Sequence, residues 1–400
     1  MANTNDDKAI MKIENVCFVG AGTMGCYNAL VASLSGYKVT VFDTNKENLT
    51  LMANRQQEFS EIFLANGIYN PTMLEQAIAN ISSTTDLAKA VENADLVSES
   101  VFEQLDIKRQ VHQQLDQLCP AHTILTTNSS GLLVSDIEDI VERGERFVAL
   151  HTHLLSPLVD IVKGPRTSVD IVSLLKNYVE SLGAVPLVLN KENPGYVLNA
   201  MIAKLLSTAM LLVVDNNIDF EAIDKAWMQN ANSTMGPFGM LDMFGLDITQ
   251  YGLQIEEPNG RMKQVKAKLT PFIADYIDKG LLGVKTGQGF YHYPNPAFKQ
   301  QDFLLGDNSI AKNNENAFIY QRLSFAIIIG AVLLAANDIA EQEDVDKAWM
   351  VGMMLPKGPF VLLTEMGVEA FKESLQLFVE FGSILPGDAE KIEKHLHQLD

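Results

Sequence analysis

A glycine-rich stretch near the N-terminus has the spacing that binds a dinucleotide. Residues 20–25, GAGTMG, fit the pattern GxGxxG and lie between an apolar strand pattern and a helical pattern at residues 26–35. Glycines at these positions permit a tight turn and let the backbone approach a pyrophosphate, which lies at the N-terminus of the helix. A second strand pattern ends at Asp43, whose carboxylate can accept hydrogen bonds from ribose hydroxyls and repel a 2′-phosphate.

These residues predict an NAD site and favour NAD over NADP. The predicted cofactor-binding residues of this stretch are Gly20, Gly22, Thr23, Met24, Gly25 and Asp43. Two alternatives remain open from the pattern itself: FAD, which shares the fingerprint, and a strand–turn with incidental glycines.

Two histidines follow an apolar stretch near the end of the predicted sheet. Hydride removal from an alcohol requires a base that takes the hydroxyl proton, and histidine suits this role near neutral pH. Of the seven histidines, only His151 and His153 come just after such a stretch, residues 147–150. Ligand sites in open α/β sheets lie outside the carboxyl ends of strands. We therefore predict that His151 is the base and that His153 is a loop residue or a neighbour of the base.

The elements that must position these residues follow from the apolar pattern. Strand-like runs at residues 16–19, 39–42, 94–97 and 123–126 alternate with helical patterns, which predicts a parallel sheet with helices on both faces. After residue 194 long helical patterns dominate, such as residues 197–216. Residues 295–315 are polar and rich in helix breakers, and are interpreted as a linker.

An internal repeat occupies the helical part. The sequence DKAWM at residues 224–228 recurs at 346–350, and GPF at 236–238 recurs at 358–360, both 122 residues further on. A shared offset predicts a duplicated helical domain, in which Trp227 and Trp349 are packing residues. The predicted fold is an α/β Rossmann-type N-terminal domain at residues 13–190 followed by two all-α helical domains, at 191–295 and 310–400.

Composition narrows the class of partner. The chain has 400 residues and a net charge of −20, and an acidic surface repels phosphate backbones and anionic lipid. We therefore expect neither nucleic acid nor a membrane as partner, and the same charge argues mildly against an anionic substrate. The longest apolar run, residues 325–336, is shorter than the about 20 residues that span a bilayer, which indicates a buried core helix. Three cysteines without a CxxC pair, and an N-terminus unlike a signal peptide, favour a cytoplasmic protein with reduced thiols.

Six stretches together resemble the L-3-hydroxyacyl-CoA dehydrogenase family, in particular 3-hydroxybutyryl-CoA dehydrogenase-like members. They are GAGTMG at 20–25, SESVFEQLDIK at 98–108, TTNSSGL at 126–132, RFVALH at 146–151, NPGYVLN at 193–199 and GVKTGQGFYHYP at 283–294. The second of them is similar to the family pattern E-x-V-x-E-x(4)-K. The resemblance implies NAD-dependent oxidation of the 3-hydroxyl of a small-molecule substrate, an acyl-CoA.

The resemblance also implies a role for individual residues. His151 aligns with the catalytic base, Ser130 with the serine that holds the substrate oxygen, and Asn199 with the asparagine that polarises the substrate. Asp160 falls where the family has a glutamate that orients the histidine. The residues that match those lining the nicotinamide and its ribose are Glu103, Lys108 and Asn128. A carboxylate on the far imidazole nitrogen would fix the tautomer of the base.

Several positions depart from the family pattern. The family reads H-F-F-N-P after the histidine, whereas this chain continues with Thr152 and His153, and the loop to Asp160 is shorter. Lysine and arginine are absent from residues 56–88, where the family often supplies cations to the CoA phosphates; only Lys46 and Arg55 are near. These departures do not affect the predicted catalytic residues, but they leave open whether the substrate carries CoA.

Alternatives therefore remain for substrate, site and assembly. The substrate could instead be a non-CoA 3-hydroxy acid, carnitine- or gulonate-like, and the chain could be a catalytically idle NAD-binding protein. Asp160 could be a surface carboxylate at a strand end, and Ser130 a cap of the following helix. No metal ligand is assigned. The expected assembly is a monomer in which the two repeats pack together, or a homodimer. Position 321, which corresponds to Asn199 in the second repeat, is a glutamine, so only the first repeat is expected to act.

Overall fold

The computed structural model describes residues 12–67, 69–254, 262–305, 310–380 and 384–397, and the side chains of 310 and 311 are not described. The chain divides into two compact units, Met1–Tyr196 and Val197–Asp400. The predicted boundaries at 13–190, 191–295 and 310–400 stay a prediction. Apart from residues 191–196, both predicted helical domains fall within the second unit.

The first unit is built on an eight-stranded sheet. Its strands are β1 (Asn15–Val19), β2 (Lys38–Phe42), β3 (Ile81–Thr84), β4 (Leu96–Glu99), β5 (Ile124–Thr127), β6 (Phe147–Thr152), β7 (Leu158–Lys163) and β8 (Val185–Leu189). Their spatial order is β3-β2-β1-β4-β5-β6-β7-β8. All neighbouring pairs are parallel except β6 and β7, which are antiparallel. The Rossmann-type prediction is confirmed, and the antiparallel pair is an addition to the predicted parallel sheet.

The order of the strands creates a crevice at the carboxyl ends of the central strands. The chain runs outward from β1 to β3 on one side and then returns to place β4 on the other side of β1. At such a switch point, the loops that leave the carboxyl ends of β1 and β4 run apart and open a binding crevice. The helices of this unit are α1 (Thr23–Leu34), α2 (Lys46–Ala65), α3 (Pro71–Ala79), α4 (Leu87–Val91), α5 (Leu105–Leu118) and α6 (Val169–Ser181).

The four strand patterns in the sequence correspond to β1, β2, β4 and β5, because all four strands are largely or fully buried and therefore apolar. β3 was not predicted, since three of its four residues, ISST, are polar and all four are half-buried or exposed at the edge of the sheet. Local side chains start several helices: Asn45, Asn70 and Ser168 each accept a backbone N–H at the first turn of α2, α3 and α6.

The second unit is helical over most of its described residues. Its helices are α7 (Leu198–Asn216), α8 (Phe220–Ala231), α9 (Pro237–Phe244), α10 (Leu246–Gln254), α11 (Lys263–Asp278), α12 (Ile310–Ala336), α13 (Gln342–Met353), α14 (Pro359–Met366), α15 (Val368–Glu380) and α16 (Pro386–Leu396). The 27-residue helix α12 packs against α7, α8, α14 and α16.

The predicted linker at 295–315 is wrong at its C-terminal end. Helix α12 already begins at Ile310, and residues 306–309 lie outside the described residues. Residues 312–314 are polar and exposed, so the sequence pattern resembles a loop there, although a polar exposed turn extends a buried helix at no cost in desolvation.

The repeated motifs have the same local structure in both copies. Asp224 on α8 accepts the backbone N–H of Phe238 (2.9 Å) at the start of α9, and Asp346 on α13 accepts that of Phe360 (2.8 Å) at the start of α14. A Cβ atom on Gly236 would lie 2.2 Å from Cγ of Asp224, and Gly358 stands in the same relation to Asp346. The aspartate and the glycine of each copy therefore depend on each other, which explains why both recur at one offset.

Among the residues that the structure describes, two helices are long and apolar enough to cross a membrane, Leu198–Asn216 and Lys312–Ala336. The apolar run 325–336 is thus part of a longer helix than the sequence pattern indicated. Half of the apolar window in the first helix and 72% of that in the second are buried within the protein, and α7 and α12 pack against each other. Core helices of this kind meet the same criterion, so the observation is weak evidence for a membrane span.

Candidate active site

The glycine loop lies between β1 and α1 at the crevice. Gly20 has a φ of +106°, and a Cβ atom there would lie 2.7 Å from the carbonyl oxygen of Ser100, after β4. A Cβ atom on Gly25 would lie 1.8 Å from the carbonyl oxygen of Gly20, so α1 approaches the strand at a distance that only glycine allows. At Gly22, by contrast, a Cβ atom would meet nothing within 4 Å. The space in front of Gly22 is therefore open, as a bound pyrophosphate requires.

The first turn of α1 leaves donors available for that ligand. Gly22 is the N-cap and supplies no side-chain hydrogen bond, and the free N–H groups and dipole of a helix N-terminus favour an anion. Thr23 and Met24 form the exposed and half-buried start of the same helix. These residues fit a dinucleotide at the position that the sequence predicted.

Asp43 follows β2 and faces the glycine loop. Its Oδ2 accepts the backbone N–H of Ala21 (2.8 Å), and its Oδ1 accepts that of Asn45 (2.8 Å). The half-buried carboxylate therefore holds the loop in place and keeps a negative charge next to it. Arg55 lies close by, but its guanidinium donates to the carbonyl oxygen of Ala21 (2.7 Å) and so belongs to the loop scaffold.

Glu99, at the end of β4, is the centre of a buried polar network that the sequence analysis did not single out. Its Oε1 accepts from Lys108 Nζ (2.7 Å), and its Oε2 accepts from the hydroxyl of Thr127 (2.8 Å) and contacts Nε2 of His112 (3.2 Å). Burial raises the pKa of Glu99, but the hydrogen bond to His112 and the charge of Lys108 outweigh it and lower the pKa to about 2. The sequence contained a signal that could have identified Glu99, because it is the first glutamate of the E-x-V-x-E-x(4)-K pattern.

Lys108 lies deeper than the family resemblance implied. Its side chain is 2% exposed, and its ammonium group bonds to Glu99 and lies 3.3 Å from Oε2 of Glu103. Lys108 thus anchors Glu103 from behind, and its position does not support direct contact with a ribose. Glu103 itself accepts the hydroxyl of Ser129 and the backbone N–H of Gly131 (3.1 Å).

The residues after β5 form a second group of polar side chains at the carboxyl ends of the strands. Oδ1 of Asn128 accepts the backbone N–H of Thr152 (2.8 Å), which ties the ends of β5 and β6 together. Ser129 is buried and its hydroxyl accepts the N–H of Leu132 (2.9 Å) within the loop. The short helix that follows begins at Val134 with Leu133 as its N-cap, so the alternative that Ser130 caps it is wrong. The side chain of Ser130 is exposed, which leaves its hydroxyl accessible to a ligand.

The candidate base and its carboxylate partner lie on the antiparallel pair of strands. His151 on β6 is directly opposite Asp160 on β7, and Nδ1 of His151 lies 2.9 Å from Oδ2 of Asp160. Asp160 is fully buried, so the alternative that it is a surface carboxylate is wrong. Its carboxylate has a lowered pKa, because the hydrogen bonds from both histidines outweigh the effect of burial. An ionised carboxylate only accepts hydrogen bonds, so Nδ1 of His151 carries the proton and Nε2 presents a lone pair.

His153 contacts the same carboxylate oxygen. Its Nε2 lies 2.9 Å from Oδ2 of Asp160, and its ring centroid lies 4.4 Å from that of His151. The ligand atoms of the three residues lie within 4.8 Å of one another, a spacing that a metal ion could also bridge. Both imidazoles, however, are already hydrogen-bonded to one oxygen, and the geometry supports a hydrogen-bonded triad.

Burial dominates the electrostatics of His151. Its imidazole is almost completely enclosed, and burial lowers its pKa, while the hydrogen bond to Asp160 opposes that shift and the nearby His153 adds to it. Tyr196 covers the other side of the ring, with centroids 5.2 Å apart, and its hydroxyl donates to the carbonyl oxygen of Ser129 (2.8 Å). His151 is therefore held neutral near neutral pH, which is the state that accepts a proton.

The sequence-predicted residues are thus distributed over both units. The glycine loop, Asp43, Glu103, Asn128, Ser130, His151 and Asp160 all lie in the first unit, at or near the carboxyl ends of its central strands. Asn199 lies in the second unit, half-buried in the first turn of α7. The sequence analysis missed Glu99, Ser129 and Tyr196, and did not foresee that His153 bonds to Asp160.

Two family models match the chain. The one described as 3-hydroxyacyl-CoA dehydrogenase, NAD binding domain, matches residues 15–193. The one described as 3-hydroxyacyl-CoA dehydrogenase, C-terminal domain, matches residues 195–293 and 318–397. The first description names NAD, which decides between NAD and FAD, the two cofactors that the glycine pattern left open.

Individual relatives agree with the family models. The mitochondrial hydroxyacyl-coenzyme A dehydrogenase of Mus musculus is 32% identical over 292 residues, which are 70% of this chain and 91% of the relative. A solved structure of a diketoreductase that acts on dicarbonyl compounds is 34% identical, with a TM-score of 0.64, and covers 70% of this chain and 99% of its own. The structure of 3-hydroxybutyryl-CoA dehydrogenase from Escherichia coli is 19% identical with a TM-score of 0.76, covering 97% of this chain and 100% of its own, which shows a common fold.

Proposed function

Because the chain belongs to the 3-hydroxyacyl-CoA dehydrogenase family, we propose that it oxidises the 3-hydroxyl of an L-3-hydroxyacyl-CoA to the 3-ketoacyl-CoA, reversibly, with NAD. The observation that carries this proposal is the hydrogen-bonded pair of His151 and Asp160. The pair lies in the same sheet as the glycine loop, and both are at the carboxyl ends of parallel strands; the space in front of Gly22 in that loop is open.

The role of His151 follows from its tautomer. Nδ1–H is donated to Asp160, so the lone pair of Nε2 can take the hydroxyl proton of the substrate. As the proton arrives, the buried carboxylate of Asp160 stabilises the imidazolium. Bound NAD supplies the acceptor for the hydride that leaves carbon 3. The residues that would hold it are the glycines of the loop, through backbone N–H groups, and Asp43, through its carboxylate.

Ser130 and Asn199 are proposed to act on the substrate oxygen. A hydroxyl and an amide are neutral donors, so they can stabilise the charge that develops on a carbonyl oxygen in the reverse reaction. The exposure of the Ser130 hydroxyl supports this assignment. Glu103 and Asn128 are proposed to line the nicotinamide ribose, with Lys108 holding Glu103 in place.

The CoA part of the substrate has less support than the reacting part. Helices α2 and α3 carry no lysine or arginine between residues 56 and 88, and Arg55 is bonded to the glycine loop. One relative, the diketoreductase, acts on dicarbonyl compounds. A non-CoA 3-hydroxy acid or 3-keto compound is therefore a second candidate substrate for the same chemistry.

The test compares two substrates that share the reacting group. Purified protein is assayed for NADH oxidation with acetoacetyl-CoA and with acetoacetate, which lacks CoA. We expect kcat/KM for the thioester to exceed that for the free acid by at least about 100-fold, since the remote group contributes binding energy to the transition state. A higher value for the free acid would replace the acyl-CoA by a small 3-keto acid. Binding of NADH without turnover of either compound would instead indicate a catalytically idle protein.

We further propose that the protein serves fatty acid metabolism by β-oxidation, that it works in the cytoplasm, and that it is active as a monomer. The three cysteines without a CxxC pair support the compartment, and the internal repeat supports the assembly. Fractionation of cells and light scattering of the purified protein test the last two points.

A further inference from the structure

We propose that His153 is a positioning residue for the base. By donating Nε2–H to Oδ2 of Asp160, it holds this carboxylate in the orientation that His151 needs. This inference rests on the proposed function, in which His151 takes the substrate proton.

The first argument is the number of donors that the carboxylate has. Asp160 is completely buried, and Oδ1 has no hydrogen-bond partner among the described residues. Both hydrogen bonds from side chains go to Oδ2, one from each imidazole. A buried carboxylate needs compensating donors, and here His153 supplies half of those that side chains provide.

The second argument is geometric. His151 and Asp160 are fixed by strand pairing, since they are register partners on β6 and β7. Strand pairing sets the position of Cα and Cβ, but the rotation of a carboxylate about its last bond is broad. His153 lies beyond the end of β6, in the segment that turns toward β7, and approaches Oδ2 from another direction than His151. A second donor on the same oxygen restricts that rotation more than the hydrogen bond from His151 does alone.

The third argument is electrostatic. The groups that face His151 are Asp160 on β7, His153 after β6, Glu103 after β4 and the ring of Tyr196. Of these, the two carboxylates favour the imidazolium form, and His153 disfavours it. A second N–H on Oδ2 also withdraws electron density from the oxygen that His151 uses. Removing His153 should therefore raise the pKa of His151.

The experiment compares His153→Phe with His153→Gln in the full-length protein. Phenylalanine keeps an aromatic ring but has no donor, whereas the amide of glutamine can still donate to Oδ2. In the alcohol-oxidation direction, we expect kcat of His153→Phe to fall about tenfold and its acid limb to move to higher pH, with the KM for NAD unchanged. His153→Gln should recover most of the loss in kcat.

The same variants are examined by NMR titration of the His151 ring, which needs no turnover. A raised pKa of His151 in His153→Phe, but not in His153→Gln, supports the inference even where the proposed substrate proves wrong. Equal losses of kcat in both variants, with the pKa of His151 unchanged, would mean that His153 is a packing residue only.

A double-mutant cycle with Asp160→Asn provides the last measurement. If His153 acts mainly through Asp160, the rise in the pKa of His151 caused by His153→Phe should be clearly smaller once Asp160 is replaced, because only the direct effect of His153 on His151 then remains. Additive effects of the two substitutions would contradict the route through the carboxylate. Thermal unfolding of each variant shows whether the protein is folded, and should His153→Phe fail to fold, His153→Leu replaces it in the comparison.

Discussion

His151 and Asp160 face each other across the antiparallel strands β6 and β7, with Nδ1 of the histidine 2.9 Å from Oδ2 of the aspartate. The pair depends on the strand reversal, because β6 is the last strand of the parallel part of the sheet and β7 runs back beside it. A side chain near the carboxyl end of one strand thereby meets a carboxylate from the interior of the next. The strand reversal thus gives the base a buried partner although the loop between the strands is short.

Replacement of His151 should abolish turnover and preserve cofactor binding. The loss of a general base typically lowers the rate by about 10²–10⁴-fold, and His151 is not part of the glycine loop. We expect this loss in kcat for His151→Gln, with a Kd for NADH, measured by fluorescence titration, close to that of the wild type. His153→Gln is the matched control. If it were the crippling change and His151→Gln the mild one, the assignment of the base would be reversed.

Asp160→Asn should change the pH dependence of the reaction. Burial lowers the pKa of His151 below its ordinary value of 6.5, and Asp160 opposes that shift. Oxidation requires neutral His151, so its rate is lost as the pH falls through this pKa. Without the charge of Asp160, the pKa should fall further, the acid limb should move to lower pH, and kcat on the plateau should drop by about 10²-fold or more because the imidazolium is less stable. An acid limb that moves to higher pH in a plot of kcat against pH would contradict this account.

Gly22→Ala and Gly25→Ala should separate cofactor binding from folding. A methyl group on Gly25 would lie 1.8 Å from the carbonyl oxygen of Gly20, whereas one on Gly22 would meet no atom of the protein within 4 Å. We expect Gly25→Ala to lower the free energy of unfolding by about 1–3 kcal/mol. Gly22→Ala should leave Tm unchanged without cofactor but raise the Kd for NADH. Equal stability of the two variants would contradict the close contact at Gly25. Normal NADH binding by Gly22→Ala would place the pyrophosphate elsewhere.

Asp43 should set the preference for NAD over NADP. Its carboxylate would face the 2′-phosphate of NADP, and like charges at close range disfavour binding. We expect the ratio of kcat/KM for NAD to that for NADP to exceed about 100 in the wild type and to fall at least tenfold in Asp43→Asn. Asparagine keeps an acceptor for the N–H of Ala21 but loses the one for the N–H of Asn45, so an unchanged Tm of this variant is required before the fall is attributed to charge. A wild-type enzyme with equal kcat/KM for NAD and NADP would refute the assignment.

Deletion of residues 310–400 should expose the apolar surface of the first helical repeat. Helix α12 packs against α7 and α8, and the rings of Trp227 and Trp349 lie 6.4 Å apart in an edge-to-face contact. Without the second repeat these surfaces meet water, at about 25 cal/mol per Å² of apolar area. We expect the truncated protein to dimerise or aggregate in light scattering and to lose thermal stability. A truncated protein that stays monomeric, soluble and fully active would show that the second repeat does not cover this surface.

Much of the fold could be predicted because it depends on local patterns. Buried strands are apolar and short, the glycine loop has a fixed spacing, and the duplicated DKAWM and GPF motifs recur because an aspartate must cap the next helix. The positions that failed have weak local signals. Strand β3 is a polar edge, and the first turns of α12 are polar and exposed, so neither shows the periodicity of a buried element.

The sequence by itself determined the type of cofactor site and the candidate base, since a glycine spacing, an aspartate and a histidine after a strand are readable one residue at a time. Only the tertiary structure decided which side chains meet. Lys108 is buried behind Glu103 because helix α5 packs against the sheet. That Ser129 rather than Ser130 accepts the N–H of Leu132 depends on the turn after β5, and that His153 shares an oxygen of Asp160 with His151 depends on strand register. A shift of one residue in the register of β7 against β6 would turn Asp160 to the other face of the sheet, away from both histidines, and no local pattern encodes that choice.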